Sequence, residues 1–208
     1  MNKPIVFILF CIFFISLFWM FLIPLWHTPD EQAHFGQVAF MAIMGRSPNQ
    51  KDTYDLTQEI YSSEILLGTK RDVYGNNQFT FHPEYRIPYS STNFGIYESS
   101  ISALKKTESQ AAFVHSEATR YPDAYYFPAS IIYKLLSQTD LFTKVYAVRL
   151  FSLCLFLILI YVVYGMGILL FPNDKVSAYG LPLLVGLHPM MIFSSVGVTS
   201  DVIGNLFF

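Results

Sequence analysis

Apolar residues gather at the two ends of this chain and leave a polar middle. Residues 5–25 are apolar apart from Ser16 and the turn-prone Pro24, about the 20 residues a helix needs to cross a hydrocarbon core. A transmembrane helix is predicted there. A cleaved signal peptide would carry a shorter apolar stretch of about 7–15 residues and end at a small-x-small site. Here the run ends at Pro24-Leu25-Trp26. A second span is predicted over residues 150–171. A third, over 179–198, is interrupted by Pro182, Gly186 and Pro189, breaks tolerated only where neighbouring helices or a cavity satisfy the freed backbone groups. A further helix opens over 199–205, and the apolar run at Phe208 predicts continuation into more spans.

The polar middle begins with a helix signal. Thr28-Pro29-Asp30-Glu31 reads as a capping box with proline at the first helical position: Thr28 accepts from a backbone N–H and Glu31 reaches back. The helix should run to about Met44 and stop at Gly45, with Phe35, Val38, Ala39 and Ala42 on one face. That pattern predicts a helix lying along the membrane surface or packing on the spans. A second helix is predicted over 128–136. Residues 46–121 are polar, with turn signals such as Gly75-Asn76-Asn77 and aromatic pieces such as Phe79-Thr80-Phe81. Trp26, Tyr121, Tyr125, Tyr126, Tyr133 and Tyr146 crowd the edges of this region, the pattern of an interfacial aromatic belt. The expected fold class is an all-α, multi-pass transmembrane helical bundle with a mixed extracytoplasmic loop subdomain after the first span. Its segments are the first helix (1–25), the loop with interfacial helices (26–144) and the later spans with the start of a fourth (145–208).

Composition supports the bilayer. The chain is 53% hydrophobic and 17% aromatic but only 13% charged, against about a quarter charged in soluble proteins. A net charge of −2 and the absence of a Lys/Arg cluster exclude a nucleic-acid partner. Cys11 and Cys154 both lie in apolar blocks and say little about redox compartment. Lys3 precedes the first span, Asp30 and Glu31 follow it, and Lys175 sits in the turn between the second and third. Read through short loops alone, these charges put the N-terminus in the cytoplasm, the large first loop outside the cell membrane, and Asp201 on that outer side.

Candidate chemistry centres on Asp30, Glu31 and His34. Asp30 and His34 are spaced i, i+4, and Glu31 and His34 i, i+3, so the three can share one helix face. A structural reading competes: Glu31 completes the capping box, Asp30 complements the helix dipole and His34 is an interfacial polar residue. A metal site would need three or four ligands, so a divalent cation stays open as the cofactor. Arg149, with Lys144 nearby, marks the outer mouth of the second span, where a guanidinium either snorkels to headgroups or meets an anion. Asp201 fits a helix cap and adds an acid on the outer face. Arg120, Tyr121, Asp123 and Tyr126 could complete a groove.

In order along the chain, these features resemble the GT-C superfamily of membrane glycosyltransferases and, within it, a bacterial family of predicted membrane proteins. Pro-Asp-Glu-x-x-His-Phe from Pro29 to Phe35 looks like the family's opening motif after the first span. Tyr121-Pro122-Asp123-Ala124-Tyr125-Tyr126 is similar to a Pro-x-x-Tyr-Tyr motif, Arg149-Leu150 to the basic start of the next span, and Ser200-Asp201 with Asn205 to an Asn-Asp-x-x-x-Asn pattern. Asp123 and Ser200 depart from the commoner Pro and Asn. The resemblance implies sugar transfer from a polyprenyl-phosphate-linked donor to an extracytoplasmic acceptor, a cell-envelope glycan or glycoprotein. The site residues it implies are Asp30 as base, Glu31 as supporting acid or metal ligand, and Arg149 as phosphate contact. His34 would orient a carboxylate or hold a divalent ion, while Tyr126, Asp201 and Arg120 contact substrate. The partners are then the lipid-linked donor and membrane lipids. A non-enzymatic transporter or polysaccharide-assembly scaffold is the alternative. It should carry ionisable groups deep in its spans, where the predicted spans hold only His188.

Overall fold

A computed structural model describes residues 3–70, 84, 91–104, 110, 112–114 and 121–207, with side chains 91–94 left aside. The chain divides into two compact units, one of Met1–Pro24 with Val148–Phe208 and one of Leu25–Ala147.

The first unit is built on long apolar helices. Helix α1, Lys3–Leu22, has 20 residues and so spans about 30 Å, the thickness of a hydrocarbon core. Ile5, Ile8, Ile12, Ser16 and Met20 are its buried residues, and their three- and four-residue spacing puts them on one face. Phe7, Phe10, Phe14, Phe18 and Phe21 remain exposed, as a lipid-facing surface requires. The helix stops just before Ile23-Pro24, because a proline disfavours helical backbone in the residue before it.

A second helix of span length, α6, runs Leu141–Leu170. It starts nine residues before the predicted span and so contains both Lys144 and Arg149. The third predicted span is two helices, α7 Lys175–Gly186 and α8 Pro189–Ser195, bent by 55°. Asp174 caps α7 through Val176 and Ser177 N–H, and Pro189 opens α8, so the helix breaks at residues 187–188, while Pro182, expected as a break, sits inside α7. A short α9, Asp201–Phe207, follows. Among the described residues α1 and α6 are long and apolar enough to cross a membrane, and the bent pair would make a third crossing.

The second unit is organised around α2, Glu31–Met44, which ends on Gly45 in the left-handed conformation (φ 66°). Every residue from Glu31 to Met41 is buried. This helix is therefore the core of its unit and not a surface helix: partners lie all round it, principally α5, Tyr126–Leu135, together with strand β1, Leu56–Thr57, and helix α3, Gln58–Leu67. Strand β1 pairs antiparallel with β2, Phe113–Val114, in the register Leu56 to Val114 and Thr57 to Phe113. Helix α2 and β1 pack closely at Gly36, where a Cβ would stand 2.7 Å from Leu56 Cδ1 and the leucine side chain would have to shift. Helix α4, Ser91–Ser102, packs on α3.

The aromatic-belt expectation is corrected for four of its six members. Trp26, Tyr125, Tyr126 and Tyr133 are buried inside this unit; each ring packs on other rings of the core, Trp26 on Phe35 and Phe35 on Tyr133 among them. The Gly75 and Phe79 pieces lie outside the described residues.

Candidate functional site

The chain leaving α1 passes through two left-handed residues within five positions. Trp26 has φ 61° and Asp30 φ 54°, a conformation that costs side-chain-bearing residues roughly 1–2 kcal/mol. Surrounding contacts hold the turn in place. Glu31 Oε2 accepts the backbone N–H of Trp26 at 3.0 Å, and Trp26 Nε1 donates to Ser63 Oγ at 2.8 Å. Ser63 in turn donates to the Ile60 carbonyl at 2.6 Å. Glu31 is fully buried, so its carboxylate serves as a fixed acceptor within the core.

This geometry revises the capping box. The left-handed turn at Asp30 makes Asp30 the N-cap residue and starts the helix at Glu31. Thr28 is thereby left outside, and its buried Oγ1 finds no hydrogen-bond partner among the described residues. Glu31 does reach back, but to Trp26 instead of Thr28. Asp30 contributes its carbonyl, which accepts from Ala33 and His34 N–H at 2.9 and 3.0 Å, while its side chain makes no capping bond and is exposed.

One turn further in, His34 Nδ1 and the Tyr126 hydroxyl share a hydrogen bond of 2.5 Å, and the His34 ring lies 4.4 Å from the Tyr121 ring. Gln37 fixes Tyr121 at both backbone groups, donating to its carbonyl at 2.9 Å and accepting from its N–H at 3.1 Å. Two sequence candidates, His34 and Tyr126, are thus brought together across 92 positions. Tyr121 joins them, and Asp123 is exposed in the turn before α5.

The remaining candidates fall elsewhere. Arg149, fully buried in the first unit, donates through Nη1 to the Met20 and Ile23 carbonyls at 3.1 and 2.8 Å and through Nη2 to Pro24 O at 3.0 Å. Met20 O is one of the four carbonyls that a helix end leaves unsatisfied, and Ile23 and Pro24 follow directly on α1, so the guanidinium closes the C-terminal end of that helix. Asp201 is exposed in the first turn of α9, and its N–H donates to Thr199 Oγ1 at 3.1 Å. Arg120 lies outside the described residues. Among the described residues no group of three or more His, Cys, Asp or Glu side chains is placed to hold a metal ion.

One feature escaped the sequence reading. Lys144 Nζ and Glu59 Oε2 form an ion pair at 3.0 Å with both side chains almost wholly buried, and Lys144 lies 5.1 Å from the centre of the Tyr133 ring. Burial pushes the Glu59 carboxyl above the ordinary carboxylate range, against the opposing pull of Lys144. Burial, reinforced by the Glu59 charge, also raises the Tyr133 hydroxyl well above its usual value. Local patterning marked Lys144 only as a charge beside a span; its partner, 85 positions away, gave no local signal.

The family model described as predicted membrane protein (DUF2142) matches residues 13–206. The chain belongs to that family. The match runs from within α1 to within α9 and takes in both units, so the Asp30 turn, the His34–Tyr126 pair and the Arg149 cap all lie inside the family's region. Comparison with curated proteins and with solved structures finds no match. Membership makes this a membrane protein, in keeping with the two apolar helices of spanning length.

Proposed function

We propose that this protein is a multi-pass membrane glycosyltransferase of the GT-C type, moving a sugar from a polyprenyl-phosphate carrier to an extracytoplasmic acceptor. The N-terminus is in the cytoplasm and Leu25–Ala147 on the outer side. The observation that carries this reading is the division of labour between adjacent acids. Glu31 is buried and engaged with Trp26, whereas Asp30 presents an exposed carboxylate three residues after Trp26-His27, immediately beyond a membrane-spanning helix. A phosphate is a good leaving group, so inverting transfer chiefly requires a base for the acceptor hydroxyl and stabilisation of the departing phosphate.

Asp30 is that base in this reading. Glu31 fixes the turn that presents it, and the His34–Tyr126 pair anchors the first turn of α2 from beneath. Arg149, with its guanidinium directed at three carbonyls, holds the end of α1 from which the turn departs. Asp201 and Arg120 are the further substrate-contact candidates.

The test is transfer of labelled sugar from a polyprenyl-phosphate donor by membranes carrying Asp30→Asn. Asparagine tolerates the left-handed backbone, so folding and insertion should persist while transfer falls about 100- to 10,000-fold, the contribution of a positioned base. Unchanged transfer by a normally inserted variant would remove Asp30 from the chemistry.

A further inference from the structure

Helix α5 is two-faced in an unusual way. Tyr126, Ala129, Ser130 and Tyr133 are buried, and the helix packs on α2. On the opposite side Phe127, Ile131 and Leu135 follow each other at i, i+4 and i+8 with relative exposures of 63%, 48% and 80%. Lys134, beside them, is also exposed. Three large apolar side chains aligned on the outside of a ten-residue helix form a contiguous patch, which marks an interaction surface. No acidic residue occurs anywhere in α5.

We infer that this face of α5 is a membrane-surface anchor, with Phe127, Ile131 and Leu135 inserted among the acyl-chain ends of the outer leaflet and Lys134 reaching the lipid phosphates. The chain's own continuity identifies the bilayer as the occupant. Only residues 136–140 separate α5 from α6. Hydrogen bonds from Leu136 N to Ile132 O and from Thr139 N to Leu136 O keep that link tightly turned. The 30 residues of α6 extend about 45 Å, matching a bilayer of about 40–45 Å with its headgroups. With the polar turn Asn173-Asp174-Lys175 at one surface, Leu141 reaches the headgroup layer of the other. A helix held next to Leu141 by five residues lies at that depth. An apolar stripe flanked by a lysine is the composition that settles there.

Helix α5 thus takes the interfacial position that the sequence pattern suggests for α2. The insertion needs only that α6 crosses the bilayer; that the leaflet is the outer one rests on the topology proposed above.

The experiment uses the whole protein with Cys11 and Cys154 replaced by serine, a single cysteine at position 127, 131 or 135, and a nitroxide spin label on each. A label at Glu98, exposed on α4, is the aqueous reference. In vesicles of phosphatidylethanolamine and phosphatidylglycerol, the three α5 labels should be several-fold more accessible to oxygen, relative to a water-soluble nickel chelate, than the Glu98 label. Their depth should be about 5–10 Å below the phosphates. Nickel accessibility equal to that at Glu98 would show a water-facing helix and overturn the proposal. Protection from both reagents would mean that protein covers the stripe, and spin–spin broadening would mean that a second copy does; either result also overturns it.

Discussion

The buried pair of Glu59 and Lys144 allows a sharp test of the second unit's core. Breaking a buried pair by removing one partner leaves an uncompensated charge and costs about 3–5 kcal/mol, whereas replacing both by apolar residues of similar volume is often neutral or stabilising. For a unit spanning Leu25–Ala147, a loss of that size lowers the unfolding midpoint by roughly 12–20 °C. Lys144→Met and Glu59→Leu should each show such a drop in a thermal-unfolding assay in detergent. The double variant should recover most of it. The same pair sets a pH dependence. Burial raises the folded-state pKa of Glu59 above the ordinary carboxylate value, so the folded form binds the proton more tightly than the unfolded chain. Its stabilising contribution is then fully present below the ordinary carboxylate pKa and is lost as pH rises through the raised one. The second unit should be less stable at neutral than at mildly acidic pH, and Glu59→Gln should flatten that slope. A Lys144→Met variant within a degree or two of the parent, or a double variant as damaged as the two singles added, would refute this account of the core.

Three further outcomes follow from the geometry. Gly167→Ala would set a Cβ 2.6 Å from the Ala178 carbonyl oxygen, a backbone atom, whereas a Cβ at Gly165 meets nothing within 4 Å; the first should lower thermal stability in detergent and the second should leave it unchanged or slightly raised. Arg149→Lys replaces a fork that reaches three carbonyls by a single ammonium, and should cost roughly 1–3 kcal/mol in the same assay, the loss of hydrogen bonds to a charged group. Asp30→Gly should relieve left-handed strain and stabilise the protein by up to roughly 1 kcal/mol, while sugar transfer is lost.

The long apolar runs made the helical spans legible because a bilayer demands continuous hydrophobicity over a fixed length. They also carried the break before Pro189, which separates α7 from α8, whereas Pro182, expected as a further interruption, lies inside α7. What local patterning could not supply was the surroundings of α2. Phe35, Val38 and Ala39 recur on one face, which suits a helix with a polar outer side, yet Glu31 and Gln32 in the first turn of that face and His34 and Gln37 away from it are buried as well. Their partners, Trp26, Thr69, Tyr126 and Tyr121, come mostly from 37 to 92 positions away. Polar residues satisfied by distant partners look from the sequence like residues satisfied by water. The same reason turned Trp26, Tyr125, Tyr126 and Tyr133 from expected interface anchors into core. The start of α2 was misread for a different cause: Thr-Pro-Asp-Glu is compatible with a cap at Thr28, and only the left-handed Asp30 moves the helix start to Glu31.

That left-handed residue bears on the chemistry. Strained backbone persists only where its surroundings over-determine it, and such residues cluster at functional sites. Here the surroundings are a buried carboxylate on the Trp26 N–H, an indole tied to Ser63, and an arginine holding the Ile23 and Pro24 carbonyls just after α1. Glycine would supply the same turn at Asp30 with no steric cost, and a capping role would require a side-chain bond that Asp30 does not make. Neither the shape of the turn nor a side-chain cap therefore calls for a carboxylate at this position, which leaves the helix dipole as its structural benefit. Neighbouring Glu31 would lose a core hydrogen bond if it moved, so it cannot exchange roles with Asp30. The asymmetry between the two acids, one buried on the Trp26 N–H and one exposed at the surface of its unit, is what makes Asp30 the residue to change first.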